Sequence, residues 1–276
     1  MEGAVLPPFH TTAEYWHENV QAYISSHSLD HSTYTDLRDA VISRLPAAAL
    51  DGPGSIGLTR TDLISTLSTW RSKSTSRKIN YLEIGCAGGE NFTPMSESPI
   101  IDIAHCVDPD PKSVSTHKMT SSNFFKTNIQ NYDIIFVDGL HQWSTALSDI
   151  ASSLLTLSPE GVIIVHDSNP RTSSAASPTV PNFEVDKVAW NGDVYKAIVE
   201  LGSNPNVDVA TGYFDEGCAV VIDRPRSKER LLVPREGAAE VLSYEVFDRN
   251  RKEFLNLLDW EELMYWIEGE AQPVKN

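Results

Sequence analysis

From about residue 79 the chain alternates short, nearly all-apolar runs with stretches whose apolar residues recur three and four apart. The runs INYLEIGC (79–86), IAHCVDPD (103–110), YDIIFVDG (132–139) and GVIIVHDS (161–168) predict strands buried on both faces of a parallel sheet. STALSDIASSLLTL (144–157) predicts a helix, with Ala146, Leu147, Ile150, Leu154 and Leu157 on one face. VYKAIVEL (194–201) predicts a second helix, and VDVATGYF (207–214) and CAVVID (218–223) predict two further strands. Only Asp215-Glu216-Gly217 joins that last pair, which is short enough for nothing but an antiparallel hairpin. An all-parallel doubly wound sheet would need a crossover helix at that point.

The flanks read differently. Residues 11–75 carry helical spacing in AEYWHENVQAYI, YTDLRDAVISRL and RTDLISTLSTWR, interrupted by the loop AALDGPGSIG. Beyond residue 225, FDRNRKEFLNLLDWEELMYWIEGE predicts one or two amphipathic helices rich in aromatic residues, serving either as packing against the sheet or as a lid. The expected division is a helical cap over 1–75, a core over 76–225 and a helical extension over 226–276. A formal charge of −16 argues against a polyanionic partner such as nucleic acid. The absence of a long apolar run argues against a membrane span, and the start lacks a signal-peptide pattern, so the cytoplasm is the expected location. Cys86, Cys106 and Cys218 lie within apolar runs and read as buried, reduced core thiols without zinc-site spacing.

Candidate chemistry gathers at the carboxyl ends of the predicted strands. Glu83-Ile84-Gly85-Cys86-Ala87-Gly88-Gly89 closes the first strand with glycines that permit a sharp turn and close approach of a ligand. The spacing is unlike the G-x-G-x-x-G of a dinucleotide site. Asp108, ending the next strand, can accept hydrogen bonds from both hydroxyls of a ribose, or it can serve as a turn acid in DPDP. Asp138-Gly139-Leu140-His141 and His166-Asp167-Ser168-Asn169-Pro170 end the two strands after that. Neighbouring parallel strands lie about 4.8 Å apart, so Asp138 and Asp167 can meet in one crevice and hold Mg²⁺. His141 has an ordinary pKa suited to a general base. The alternative is that these acids cap loops and the histidines bond locally.

The phrases YLEIGCAGG, VDPDP, FFKTN, YDIIFVDGLHQW, ALSDI, SPEGVIIVHDSNP and WNGDVYKAIVEL resemble a family of S-adenosylmethionine (SAM) dependent class I methyltransferases, related to metal-dependent small-molecule O-methyltransferases. The resemblance spans roughly residues 79–223. It implies a Rossmann-like, doubly wound α/β sheet of seven strands that ends in the antiparallel hairpin, beneath an N-terminal helical cap. It implies that Glu83, Gly85, Gly88, Gly89 and Asp138 border the cofactor and that Asp108 holds its ribose. Ser121 and Ser122 fall where the family often has Ser-Asp beside the adenine. Asp138 and Asp167 match metal-ligand positions, with Ser168 and Asn169 in place of a further Asp or Asn, and His141 matches the catalytic base.

The expected function is therefore SAM-dependent methylation of a small-molecule acceptor, foremost on oxygen, with Mg²⁺ as an optional second cofactor. N-methylation, a SAM-assisted rearrangement and a non-catalytic SAM-binding protein are the alternatives, because fold alone does not separate them. Nucleic acid and membrane are not expected partners, and a homodimer is left open.

Overall fold

The computed structural model describes residues 57–181, 190–226 and 238–269. The helical spacings expected within residues 13–45 lie outside the described residues.

In chain order the elements are α1 (Arg60–Thr75), β1 (Ile79–Ile84), α2 (Phe92–Ser96), β2 (Ile101–Val107), α3 (Ser121–Thr127), β3 (Tyr132–Val137), α4 (Trp143–Leu155), β4 (Leu157–Val165), α5 (Val194–Gly202), β5 (Asp208–Gly212), β6 (Cys218–Ile222), α6 (Tyr244–Arg249), α7 (Arg251–Leu255), β7 (Leu257–Leu258) and α8 (Trp260–Glu268). One seven-stranded sheet has the order β2-β1-β3-β4-β6-β5-β7. Strands β2, β1, β3 and β4 run parallel, whereas β6 is antiparallel to both β4 and β5. This is the expected Rossmann-like, doubly wound seven-stranded sheet with its antiparallel hairpin.

The hairpin does not close the sheet, however. Two-residue β7 pairs with β5 in parallel and forms the outer edge. At the opposite edge an isolated parallel bridge joins Val107 to His117. The C-terminal region also differs from one or two long helices. It is broken into α6, α7 and α8, and Asn256 adopts a left-handed φ of 48° between α7 and β7. A left-handed residue cannot continue a right-handed helix, so the chain turns there into the sheet edge.

The all-apolar strands sort their side chains by period two. Leu82, Ile84, Ile135, Val137, Ile163 and Val165 face α4 and α5. Tyr81, Ile134, Phe136, Val162 and Ile164 face the opposite core, which includes Leu63, Ile64 and Leu67 of α1 and Leu263, Trp266 and Ile267 of α8. Helix α1 starts on a capping box between Thr59 and Asp62 and ends at left-handed Ser76. Asp133 is buried on β3, where Arg77 (2.6 Å) and Arg71 (3.4 Å) neutralise it. Helix α8 repeats the capping box with Asp259 and Glu262. No helix among the described residues is long and apolar enough to cross a membrane.

Cys218 is a free, buried thiol. Cys86 and Cys106, expected as reduced, are joined in a disulfide with their Cα atoms 6.3 Å apart. Parallel pairing of β1 with β2 carries the two residues to neighbouring strand ends, within the span that a disulfide bridges.

Candidate active site

The carboxyl ends of β1, β2, β3 and β4 open into one cleft of about 1060 Å³, large enough for a nucleoside and an acceptor together. Glu83, Gly85, Gly88, Asp108, Ser121, Ser122, Asp138, His141 and Asp167 all line it. Gly85 has φ +83°, and a β-carbon there would collide with the Asp138 carbonyl, so glycine lets the first loop lie against the end of β3. Gly89 also has a positive φ of 84°, just behind the loop. Asp108 fastens the loop from the side: one carboxylate oxygen accepts from the Ala87 N–H (3.0 Å), the other from the Asp110 N–H (2.8 Å). It is thus a turn acid and a cleft residue at once.

Glu83 is 1 % exposed, and the Tyr81 hydroxyl donates to it at 2.7 Å. Burial raises its pKa to about 7 despite that hydrogen bond.

At the other end of the cleft Asp138, His141 and Asp167 converge, each offering a donor atom within 4.8 Å of the others. The Nε2 atom of His141 stands 3.4 Å from Asp138 and 3.2 Å from Asp167. Its Nδ1–H donates to the Trp190 carbonyl at 3.1 Å, and the Trp190 ring stacks on the imidazole with centroids 5.0 Å apart. Burial lowers the His141 pKa, but the hydrogen bond to Asp138 and the charges of Asp167 and Asp138 outweigh it, and the net direction is upward. For Asp138, burial is in turn outweighed by the charge of His166 and bonds to both histidines, which hold its pKa well below the usual carboxylate range. Asp167 has a left-handed φ of 57°, a costly geometry for a non-glycine residue at a strand end.

Ser168 and Asn169 do not join this cluster. The Ser168 hydroxyl is turned into the strand end, donating to the Val165 carbonyl at 2.9 Å. The Asn169 side-chain oxygen accepts from buried Arg251, which Asp248 holds from the other side at 2.6 Å. Both polar groups are satisfied within the fold, so of the four expected metal positions Asp138 and Asp167 alone reach the cluster, with His141 as the third donor.

A second group, His166, Asp215 and Cys218, also has ligand-like spacing. The guanidinium of Arg60 already stands there, 2.9 Å from His166 Nε2 and 3.6 Å from Asp215. Burial keeps Cys218 a thiol, its pKa pushed up to about 12. Arg60 supplies the positive charge that a cation would otherwise bring.

Residues 82–168 match the family model of a methyltransferase domain. No curated protein matches the chain. Among solved structures the chain is similar to SAH-bound PaMTH1 from Podospora anserina, at 20 % identity over 82 % of this chain and 100 % of that one, with a TM-score of 0.45. It is similar to TomG, an O-methyltransferase from Streptomyces achromogenes, at 16 % identity over 77 % and 98 %, with a TM-score of 0.44. A putative O-methyltransferase from Klebsiella pneumoniae gives 15 % identity over 77 % and 99 %, also at 0.44.

Several residues that shape the cleft carry no spacing signal. Arg60 arrives from α1, in a segment whose sequence suggests no chemistry. The segment Trp190-Asn191-Gly192-Asp193 clamps the end of the cleft that holds Asp138, His141 and Asp167. Trp190 holds His141; the Asn191 side-chain N–H donates to Asp167 (2.8 Å); Asp193 accepts from the Trp143 N–H at the start of α4 (2.6 Å). Gly192 has φ +61° and packs directly on the His141 carbonyl. The motif WNGDV marks this stretch in the sequence, but its partners lie 24 to 50 residues upstream.

Proposed function

We propose that the protein methylates a hydroxyl oxygen of a small molecule, with His141 as general base and Asp138 and Asp167 orienting the acceptor. SAM supplies a methyl group activated by its sulfonium. The observation that carries this reading is the setting of His141. The Trp190 carbonyl accepts a hydrogen bond from Nδ1–H, so Nε2 faces the cleft between two carboxylates. An acceptor hydroxyl at Nε2 loses its proton to the imidazole, and Asp138 and Asp167 pair with the resulting imidazolium. Asn191 holds Asp167 so that the pairing needs little rearrangement.

Asp108 is the residue we assign to the ribose hydroxyls, with Glu83, Gly85, Gly88 and Gly89 around the methionine part and Ser121 and Ser122 beside the base. Two carboxylate oxygens and one imidazole nitrogen within 4.8 Å also suit a divalent cation, which would lower the cost of the acceptor oxyanion. The residues that would hold it are Asp138, Asp167 and His141, so one nitrogen would serve as ligand or as base, not both.

The test is transfer of labelled methyl from SAM into a hydroxylated-metabolite extract, for wild type, His141→Ala and Asp167→Ala, each with Mg²⁺ and with chelator. Loss of the base should lower turnover by roughly 10² to 10⁴ with S-adenosylhomocysteine (SAH) affinity nearly unchanged. Full turnover in His141→Ala refutes the base assignment. An inactive Asp167→Ala with no effect of chelator means that the acid binds the acceptor without a metal.

A further inference from the structure

Asp167 stands just past the end of β4 with a left-handed φ of 57°. A non-glycine residue keeps such a backbone only where its surroundings hold it there. One side of the following loop is fastened to the β5–β6 hairpin. The Ser168 N–H donates to the Gly217 carbonyl (3.1 Å) and the Asn169 N–H to the Glu216 carbonyl (2.9 Å). From the other side comes Arg251, the first residue of α7, 82 residues beyond Asn169. Its Nη1 donates to the Asn169 side-chain oxygen and, at 2.8 Å, to the Pro170 carbonyl. Its Nε and Nη2 donate to buried Asp248 at 3.1 and 2.6 Å, and the Phe247 ring lies 4.7 Å from the guanidinium carbon. The Tyr244 hydroxyl accepts from Nη2 (3.0 Å) and donates to the Pro170 carbonyl (3.3 Å). A planar guanidinium buried among fixed partners holds them in one geometry, so the C-terminal helices and the loop after β4 move as one piece.

We propose that Arg251 is a positioning residue for the reaction. By gripping Asn169 and Pro170 it keeps Asp167 in its left-handed conformation, and so keeps the carboxylate 3.2 Å from His141 Nε2. The C-terminal extension thereby serves the site without Arg251 itself lining the cleft. This inference rests on the role given to Asp167 in the reading above.

The experiment uses three variants of the full chain. Asn169→Ala removes one grip and leaves Arg251 its other partners. Arg251→Lys keeps a counter-charge for Asp248, but a single ammonium does not span Asp248 and the loop together. Leu263→Ala, on α8 in the opposite core, lowers stability without touching this network. Each is crystallised, titrated with SAH by calorimetry, and assayed for transfer of labelled methyl from SAM into the hydroxylated-metabolite extract. In Asn169→Ala and Arg251→Lys, Asp167 should leave the left-handed region and withdraw from His141. Turnover should fall roughly ten- to a hundredfold, with SAH affinity and the KM for SAM near wild type. Leu263→Ala should keep the wild-type Asp167 geometry and turnover. An unmoved Asp167 in Asn169→Ala overturns the proposal, whether or not Arg251→Lys folds. So does an equal loss of turnover in Leu263→Ala, the result a purely structural role gives. A displaced Asp167 with undiminished turnover contradicts the role of Asp167 in the reading above, not the grip of Arg251. If wild type transfers no methyl, that reading fails, and the crystal structures alone decide whether Arg251 holds Asp167.

Discussion

Glu83 is a buried carboxylate of the cleft whose hydrogen-bond donor is the Tyr81 hydroxyl. It stands one residue before the end of β1, and burial raises its pKa to about 7 from 4.5. A carboxyl whose folded pKa is raised contributes stability that is fully present below the unfolded value and is lost as pH rises through the folded value. The wild type therefore loses stability between pH 4.5 and about 7 through this residue. Glu83→Gln, which still accepts from Tyr81, escapes that loss. It should match wild type near pH 4 and exceed it by about 3 kcal/mol at pH 8, as denaturant unfolding at the two pH values would read. The same variant should bind the cofactor more weakly. A stability difference that does not change with pH would show that Glu83 is not held at a raised pKa.

At the scale of elements, the strand ends were legible because strands buried on both faces leave continuous apolar runs. The acids and glycines that follow those runs stand out against them: Gly85, Asp108, Asp138 and Asp167 all line the cleft. What escaped depends on partners far apart in sequence. Asp215 meets Arg60, Asn191 meets Asp167, and β7 is two residues long, too short for any periodic signal. The disulfide between Cys86 and Cys106 escaped because the apolar context of each residue fits a thiol equally well, and only strand register makes them neighbours. The 190–193 segment shows how a loop can fix the side chain proposed as the base, His141. A β-carbon at Gly192 would meet the His141 carbonyl, at a φ that disfavours side chains. Gly192→Ala should cost about 2 kcal/mol of stability and lower turnover at least tenfold by moving His141, with little effect on SAH affinity. Unfolding curves and methyl-transfer rates check this. Wild-type turnover in the folded variant would mean that the segment does not position His141.

At the scale of the whole molecule, the sheet order brings four parallel strand ends together, and that edge is where the cleft opens. Helices α1 and α8 cover one face and α4, α5 and α7 the other, so the strand ends are fixed by two cores. The cleft runs from Asp108 and Ser121 to the cluster of Asp138, His141 and Asp167. The overall charge of −16 continues into it, with Arg60 as the cationic side chain among the described residues lining it. Its glycine loop opens toward Asp108 with the spacing G-x-x-G-G, not that of a pyrophosphate site. Calorimetric titration of the purified protein with SAH and, separately, with NAD tests this account most directly. A saturable heat with SAH and none with NAD is the predicted result; tight binding of NAD with no heat from SAH would contradict it.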